Sequence, residues 1–199
     1  MRHLRNFYLL LLSLLLSIVL FLGVDRLYSN YLIGTKYQTQ IDNCIVLSDK
    51  RHHAFQPDCE GRNLWGYAAY KVYTNSLGMR DEMIRDIPLH SSRSRILFLG
   101  DSFTEGSNNW EDTFVGRIVS AYPQYDILNG GVGSYSPSNY YITAQQLIAK
   151  GITIDEVIVF IDISDIQDEA SYYVDIADDA VGAREQSLRL SEYLSSIAL

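Results

Sequence analysis

Residues 96–99, Ile-Leu-Phe-Leu, form an apolar run without polar interruption that stops at Gly100. Short unbroken runs of this kind suit strands buried on both faces of a parallel sheet. A second strand is predicted at 125–128, followed by the glycine-rich turn Asn129-Gly130-Gly131-Val132-Gly133. A third is predicted over 156–163, where 157–161 read Val-Ile-Val-Phe-Ile. Helical spacing fills the gaps between them. Over 111–122, Phe114, Val115, Ile118 and Val119 share a face, Glu111 and Asp112 favour the amino-terminal end, and Pro123 stops the helix. A second helix is predicted from Ser136-Pro137 to about Lys150, with proline in the first turn and Gly151 as the cap. Strand, helix, strand, helix, strand is the order of an α/β fold with a parallel sheet and right-handed crossovers. The turn at Gly100 delivers Asp101 and Ser102 to the carboxyl end of the first strand, where open α/β sheets place their ligands.

The flanks read differently. Residues 7–24 are leucine-rich, carry no charge and follow Arg2, His3 and Arg5. With no Ala-x-Ala site after them, they predict an uncleaved, single-pass membrane anchor with the remaining chain on the extracytoplasmic side. Residues 28–92 form an amino-terminal extension or accessory layer. Within it 67–73 alternate as a short strand does, and Trp65, Tyr67, Tyr70 and Tyr73 read as half-buried strand residues. Residues 74–81 are turn-rich. The core spans 93–199, turns acidic after Asp165, and ends in a predicted helix over 183–199. Three strands make a small sheet of this type. The expectation is that strands from the extension complete it, or that the sequence stops before the fold is whole.

Composition narrows the function. A chain of 199 residues with 47% hydrophobic content has enough apolar material for a globular core. A net charge of −8, with no Lys/Arg cluster beyond the first residues, speaks against nucleic acid as a partner. No dinucleotide or phosphate-loop glycine pattern is present, and no cofactor or metal is expected. Cys44 and Cys59 are too few for a four-ligand zinc site, and in an oxidising compartment they could close one loop as a disulfide.

Gly100-Asp101-Ser102 after an apolar strand, with Asn129-x-Gly131 after the next, resembles the first two blocks of the SGNH, or GDSL-type, hydrolase family. The likeness covers about half the chain. It implies a three-layer α/β/α, flavodoxin-like fold, here incomplete, and a partner that is an acyl ester of a lipid or of an acylated carbohydrate. It makes Ser102 the nucleophile, with its own N–H and that of Gly131 donating to the oxyanion, and gives Asp101 and Asn129 structural roles beside the site. The family's Gly-x-Asn-Asp block falls on Asp162-Ile163-Ser164-Asp165. Ser164 therefore stands as the candidate side-chain donor in place of the asparagine, and Asp165 as a structural residue.

A serine needs a proton acceptor. The family draws it from an Asp-x-x-His block, and no histidine follows His90. Asp49-Lys50-Arg51-His52 has that spacing but precedes the serine; His52 and His53 are expected on a polar loop, and His90 at the far end of the strand from Ser102. The leading expectation is an anchored serine esterase. The alternatives are an O-acyltransferase of the same fold acting on envelope carbohydrate or lipid, and a catalytically silent, membrane-tethered binding protein.

Overall fold

The computed structural model describes residues 2–31, 44–65, 68–177 and 179–183. Tyr67 and most of the helix expected over 183–199 lie outside them. The chain divides into two units, Met1–Asp42 and Asn43–Leu199.

In the first unit a helix, α1, spans Arg2–Ser29 and buries none of its residues. At 1.5 Å per residue such a helix exceeds the ~30 Å of a bilayer's hydrocarbon core, and it is apolar enough to cross one.

The second unit is built on a sheet. Strands β1 (Ile45–Ser48) and β2 (His52–Phe55) pair as a separate antiparallel hairpin, and Cys44 is disulfide-bonded to Cys59, with their Cα atoms 5.8 Å apart. Next come β3 (Glu60–Trp65), β4 (Ala68–Thr74) and β5 (Arg80–Asp81), then β6 (Arg95–Leu99), the short helix α2 (Ser102–Glu105), α3 (Phe114–Ala121) and β7 (Asp126–Asn129). Helix α4 (Pro137–Ala149), strand β8 (Glu156–Val159), helix α5 (Ile163–Ser171) and the hairpin β9 (Tyr173–Ala177) and β10 (Ala180–Ala183) follow.

The main sheet has the order β3-β4-β5-β7-β6-β8. Where the sequence pattern predicts a parallel sheet, the sheet is mixed. Strand β6 is parallel to both β7 and β8, whereas β3, β4 and β5 join antiparallel on the β7 side. The extension thus completes the sheet edge-on.

Alternation along β6 assigns its faces. Leu97 and Leu99 pack with Leu128, Val132, Tyr140 and Leu147, which brings α4 onto one face. Ile96 and Phe98 pack with Ile127, Trp110 and Val115, which brings α3 onto the other. Both faces are covered, so β6 and β7 are buried throughout.

The third apolar run ends earlier than its composition predicts. Asp162 accepts N–H bonds from Ser164 and Asp165 and starts α5, so the strand stops at Val159. Helix α3 likewise starts later, at Phe114, because the Thr113 hydroxyl caps Gly116 N–H. Val157, Val159, Ile161, Ile163 and Ile166 remain exposed along the β8 side.

At the amino end of β6, Arg95 is fully buried. Its Nε pairs with Asp126 at 2.8 Å, and its remaining nitrogens donate to the carbonyls of Pro88, Leu89 and Thr153. Burial would raise the Asp126 carboxyl, but the Arg95 hydrogen bond and charge, with help from Ser91 and Arg85, hold it below the ordinary range. Its contribution is therefore present at neutral pH and lost as pH falls through that lowered value. Asp126→Asn leaves a buried guanidinium without its counter-charge and is expected to cost about 3–5 kcal/mol. Urea denaturation of the folded protein checks this, and an unchanged midpoint would refute it.

Candidate functional site

Ser102 is where strand chemistry becomes helix chemistry. A Cβ on Gly100 would overlap the Thr104 hydroxyl, so only glycine lets α2 begin directly off β6. Asp101 caps the helix: its Oδ1 accepts Phe103 N–H at 2.9 Å and its Oδ2 accepts the Ser102 hydroxyl at 3.2 Å. As the first helical residue, Ser102 has no intrahelical acceptor for its own N–H. Its side chain is partly exposed on a cleft of about 290 Å³ lined also by Phe103, Ser107, Asn108 and Phe114.

Two buried side chains hold this helix from below. Asn129 ends β7, where it lies opposite both Arg80 of β5 and Phe98 of β6. Its Nδ2 donates to Thr104 O at 2.9 Å, and its Oδ1 accepts Gly131 N–H at 3.0 Å. Arg80 donates to the carbonyls of Glu105, Gly106 and Asn108, and its guanidinium lies 5.2 Å over the Tyr70 ring. The helix's last carbonyls are thereby satisfied.

The two expected oxyanion donors beyond Ser102 are committed elsewhere. Gly131 N–H is spent on Asn129, and a Cβ there would overlap Glu105 N; its glycine serves close packing against α2. Ser164 is exposed and donates its hydroxyl to Asp162 at 2.5 Å, as part of the cap of α5. Gly133 is the glycine beside the serine, since a Cβ on it would stand 3.7 Å from Ser102 Cβ.

Gly133 links Ser102 to groups that sequence reasoning did not place there. Its N–H donates to Glu105 Oε2 at 2.6 Å, and its carbonyl accepts from His53 Nε2 at 2.8 Å. A carbonyl only accepts, so Nε2 carries the proton. Neutral His53 then uses Nδ1 to accept from His52 Nδ1, 2.9 Å away. Burial pushes His53 down, as do His52 and Arg51, against the opposing Gly133 bond. Both histidines lie in β2 and are partly buried, in place of the polar loop expected, and Tyr135 Oη donates to His53 O at 2.6 Å. Asp49 and His90 are exposed. The signal for Gly133 was the Gly-x-Gly spacing after β7. For Glu105 it was a carboxylate one helical turn beyond the serine. Nothing local signalled His53.

On another side of Ser102, carboxylates converge. One oxygen each from Asp101, Asp162 and Asp165 lies within 4.8 Å of the other two. Asp165 is fully buried, and its Oδ2 accepts Asp162 N–H at 3.1 Å. Tyr140 stands beside it, its hydroxyl shared between Tyr135 O at 3.2 Å and the Asp165 carboxylate. Desolvation pushes Asp165 up, against the Asp162 N–H and the Tyr140 hydroxyl, and the charges of Asp101 and Asp162 add to the rise; desolvation and the same two charges raise Asp168.

Burial pushes the Glu105 carboxyl to about 7, with Asp101 adding, against Gly133 N–H and Arg80. From the ordinary 4.5 up to that value the unfolded chain is ionised while the folded one keeps its proton, so stability falls as pH rises across the window. Glu105→Gln is expected to abolish this fall and to be more stable than wild type above pH 7, by up to about 3 kcal/mol. Denaturation midpoints at several pH values check it; parallel profiles for the two proteins would refute it. Compared with protein-family models and with curated protein sequences, the chain matches none.

Proposed function

We propose that this chain is a membrane-anchored serine hydrolase of the SGNH type, with its second unit on the extracytoplasmic side. It would cleave acyl esters of a lipid or an acylated carbohydrate through Ser102. The observation that carries the reading is the placement of Ser102. It leaves the middle strand of the parallel trio β7-β6-β8 at its carboxyl end, opens a helix, and presents a partly exposed hydroxyl to a cleft. An acyl carbonyl entering there would meet the hydroxyl as nucleophile and the Ser102 N–H as an oxyanion donor. Transfer to a sugar or lipid hydroxyl in place of water uses the same serine chemistry.

The group nearest the serine proton is Asp101 Oδ2, and among the described residues no histidine hydrogen-bonds Ser102. That observation, with the commitment of Gly131 N–H and the Ser164 hydroxyl inside the protein, favours a second reading: a tethered binding protein that keeps the serine without turnover. A fluorophosphonate probe separates the two readings. Labelling of the folded protein, abolished in Ser102→Ala, is the outcome expected of the hydrolase. Folded wild-type protein that stays unlabelled would leave the binding reading.

A further inference from the structure

We infer that Glu105 is the proton acceptor of Ser102, working through one water held beside Gly133; the inference rests on the serine-hydrolase reading of the site. A serine hydroxyl attacks an ester when a base takes its proton, either directly or through a single water.

Two elements bring the pair together. In α2, Glu105 stands three residues after Ser102, a spacing that puts both side chains on one side of a helix. The loop after β7 then lays Gly133 across both. The point where a Gly133 Cβ would stand is 3.3 Å from Glu105 Oε2 and 3.7 Å from Ser102 Cβ. Among the described residues, no other heavy atom outside Gly133 and its chain neighbours lies within 4 Å of that point. Gly133 is not one of the glycines with positive φ, so its backbone does not demand glycine. What the missing side chain provides is room between a carboxylate and a serine.

A water oxygen near that point donates to Glu105 Oε2 and accepts the Ser102 hydroxyl, because Oγ lies one bond beyond Cβ. Gly133 N–H already holds Oε2 at 2.6 Å, which orients the carboxylate and leaves it further lone pairs. Asp101 Oδ2 holds the hydroxyl at rest, and Asp101 Oδ1 is tied to the cap of α2. The groups facing Glu105 are Arg80 from β5, Tyr70 from β4, Asp101 from the cap of its own helix, and Tyr135 from the loop after β7. His53 of β2 reaches it through the Gly133 peptide. Burial outweighs them and sets Glu105 near 7, where a base combines ionised fraction with proton affinity.

The step balances. Ser102 Oγ bonds the acyl carbon while its proton passes to the water and a water proton passes to Glu105. The ester C–O bond breaks, and the leaving alcohol takes that proton back. A second water then attacks the acyl-enzyme, its proton goes to Glu105, and Ser102 leaves with it, releasing the acid.

The pH dependence of fluorophosphonate labelling, measured on the full-length chain in detergent, tests the assignment. In wild type the rate should rise as pH passes about 7, where Glu105 ionises, and level off above. Glu105→Gln still accepts Gly133 N–H through its amide oxygen, so a merely structural role would leave labelling unchanged; as the lost acceptor it should label roughly 100-fold more slowly and without the rise. Gly133→Ala puts a methyl group at the bridging point and should slow labelling about tenfold or more. If Glu105→Gln fails to fold by circular dichroism, Gly133→Ala decides. Ser102-dependent labelling that keeps its rate and pH profile in the folded variants overturns the role of Glu105 and leaves the serine reading standing. Wild-type protein unlabelled at every pH overturns both.

Discussion

The Asn129 side chain is the joint on which the site depends. One amide makes two opposed commitments: its nitrogen takes the carbonyls at the end of the serine helix, and its oxygen takes Gly131 N–H in the following loop. The strand register places it between Arg80 and Phe98, so the joint is rooted in the sheet and not in a loop. Arg80 repeats the theme from the next strand by satisfying the carbonyls that follow α2. A buried amide with both ends used is costly to replace, because either remaining partner is left unsatisfied in a dry interior. The position of Ser102 is therefore set by groups that never touch a substrate.

Strand β6 also separates two kinds of electrostatics. Its amino end holds a buried guanidinium matched by Asp126 and a ring of carbonyls. Its carboxyl end opens onto the carboxylates of Asp101, Asp162 and Asp165, the first two of which cap helices. The first end is satisfied and fixes the fold. The second gathers negative charge next to Ser102, and the charges of Asp101 and Asp162 help to hold Asp165 above the ordinary carboxylate range.

What could be read in the chain was local. The run Ile96–Leu99, the glycine after it and the Ser136-Pro137 helix start each declare themselves within a few residues, and the structure has them. The end of β8 was misjudged because Ile161 and Ile163 continue an apolar period past the point where Asp162 caps a helix. The rest depends on pairings that no window contains. The antiparallel half of the sheet turns on a single register contact between Arg80 and Asn129. The neighbours of Gly133 come from β2 and α2, and the carboxylate cluster joins β6 to α5. Gly131 is a further case: a motif names a glycine, but only the packing shows that its N–H bonds Asn129.

The Cys44–Cys59 bond has a consequence for where the site can be complete. It ties the base of the hairpin that brings His53 to the Gly133 carbonyl, and it closes a sequence separation of 15 residues, a constraint worth about 3 kcal/mol. In a thiol-reducing compartment that constraint is absent, and the hairpin is held by β1–β2 pairing and by single contacts such as Val181 N–H to Lys50 O. The wall behind Gly133 is thus a product of oxidative maturation, and the redox poise around the protein becomes one of the determinants of how firmly the serine's surroundings are built.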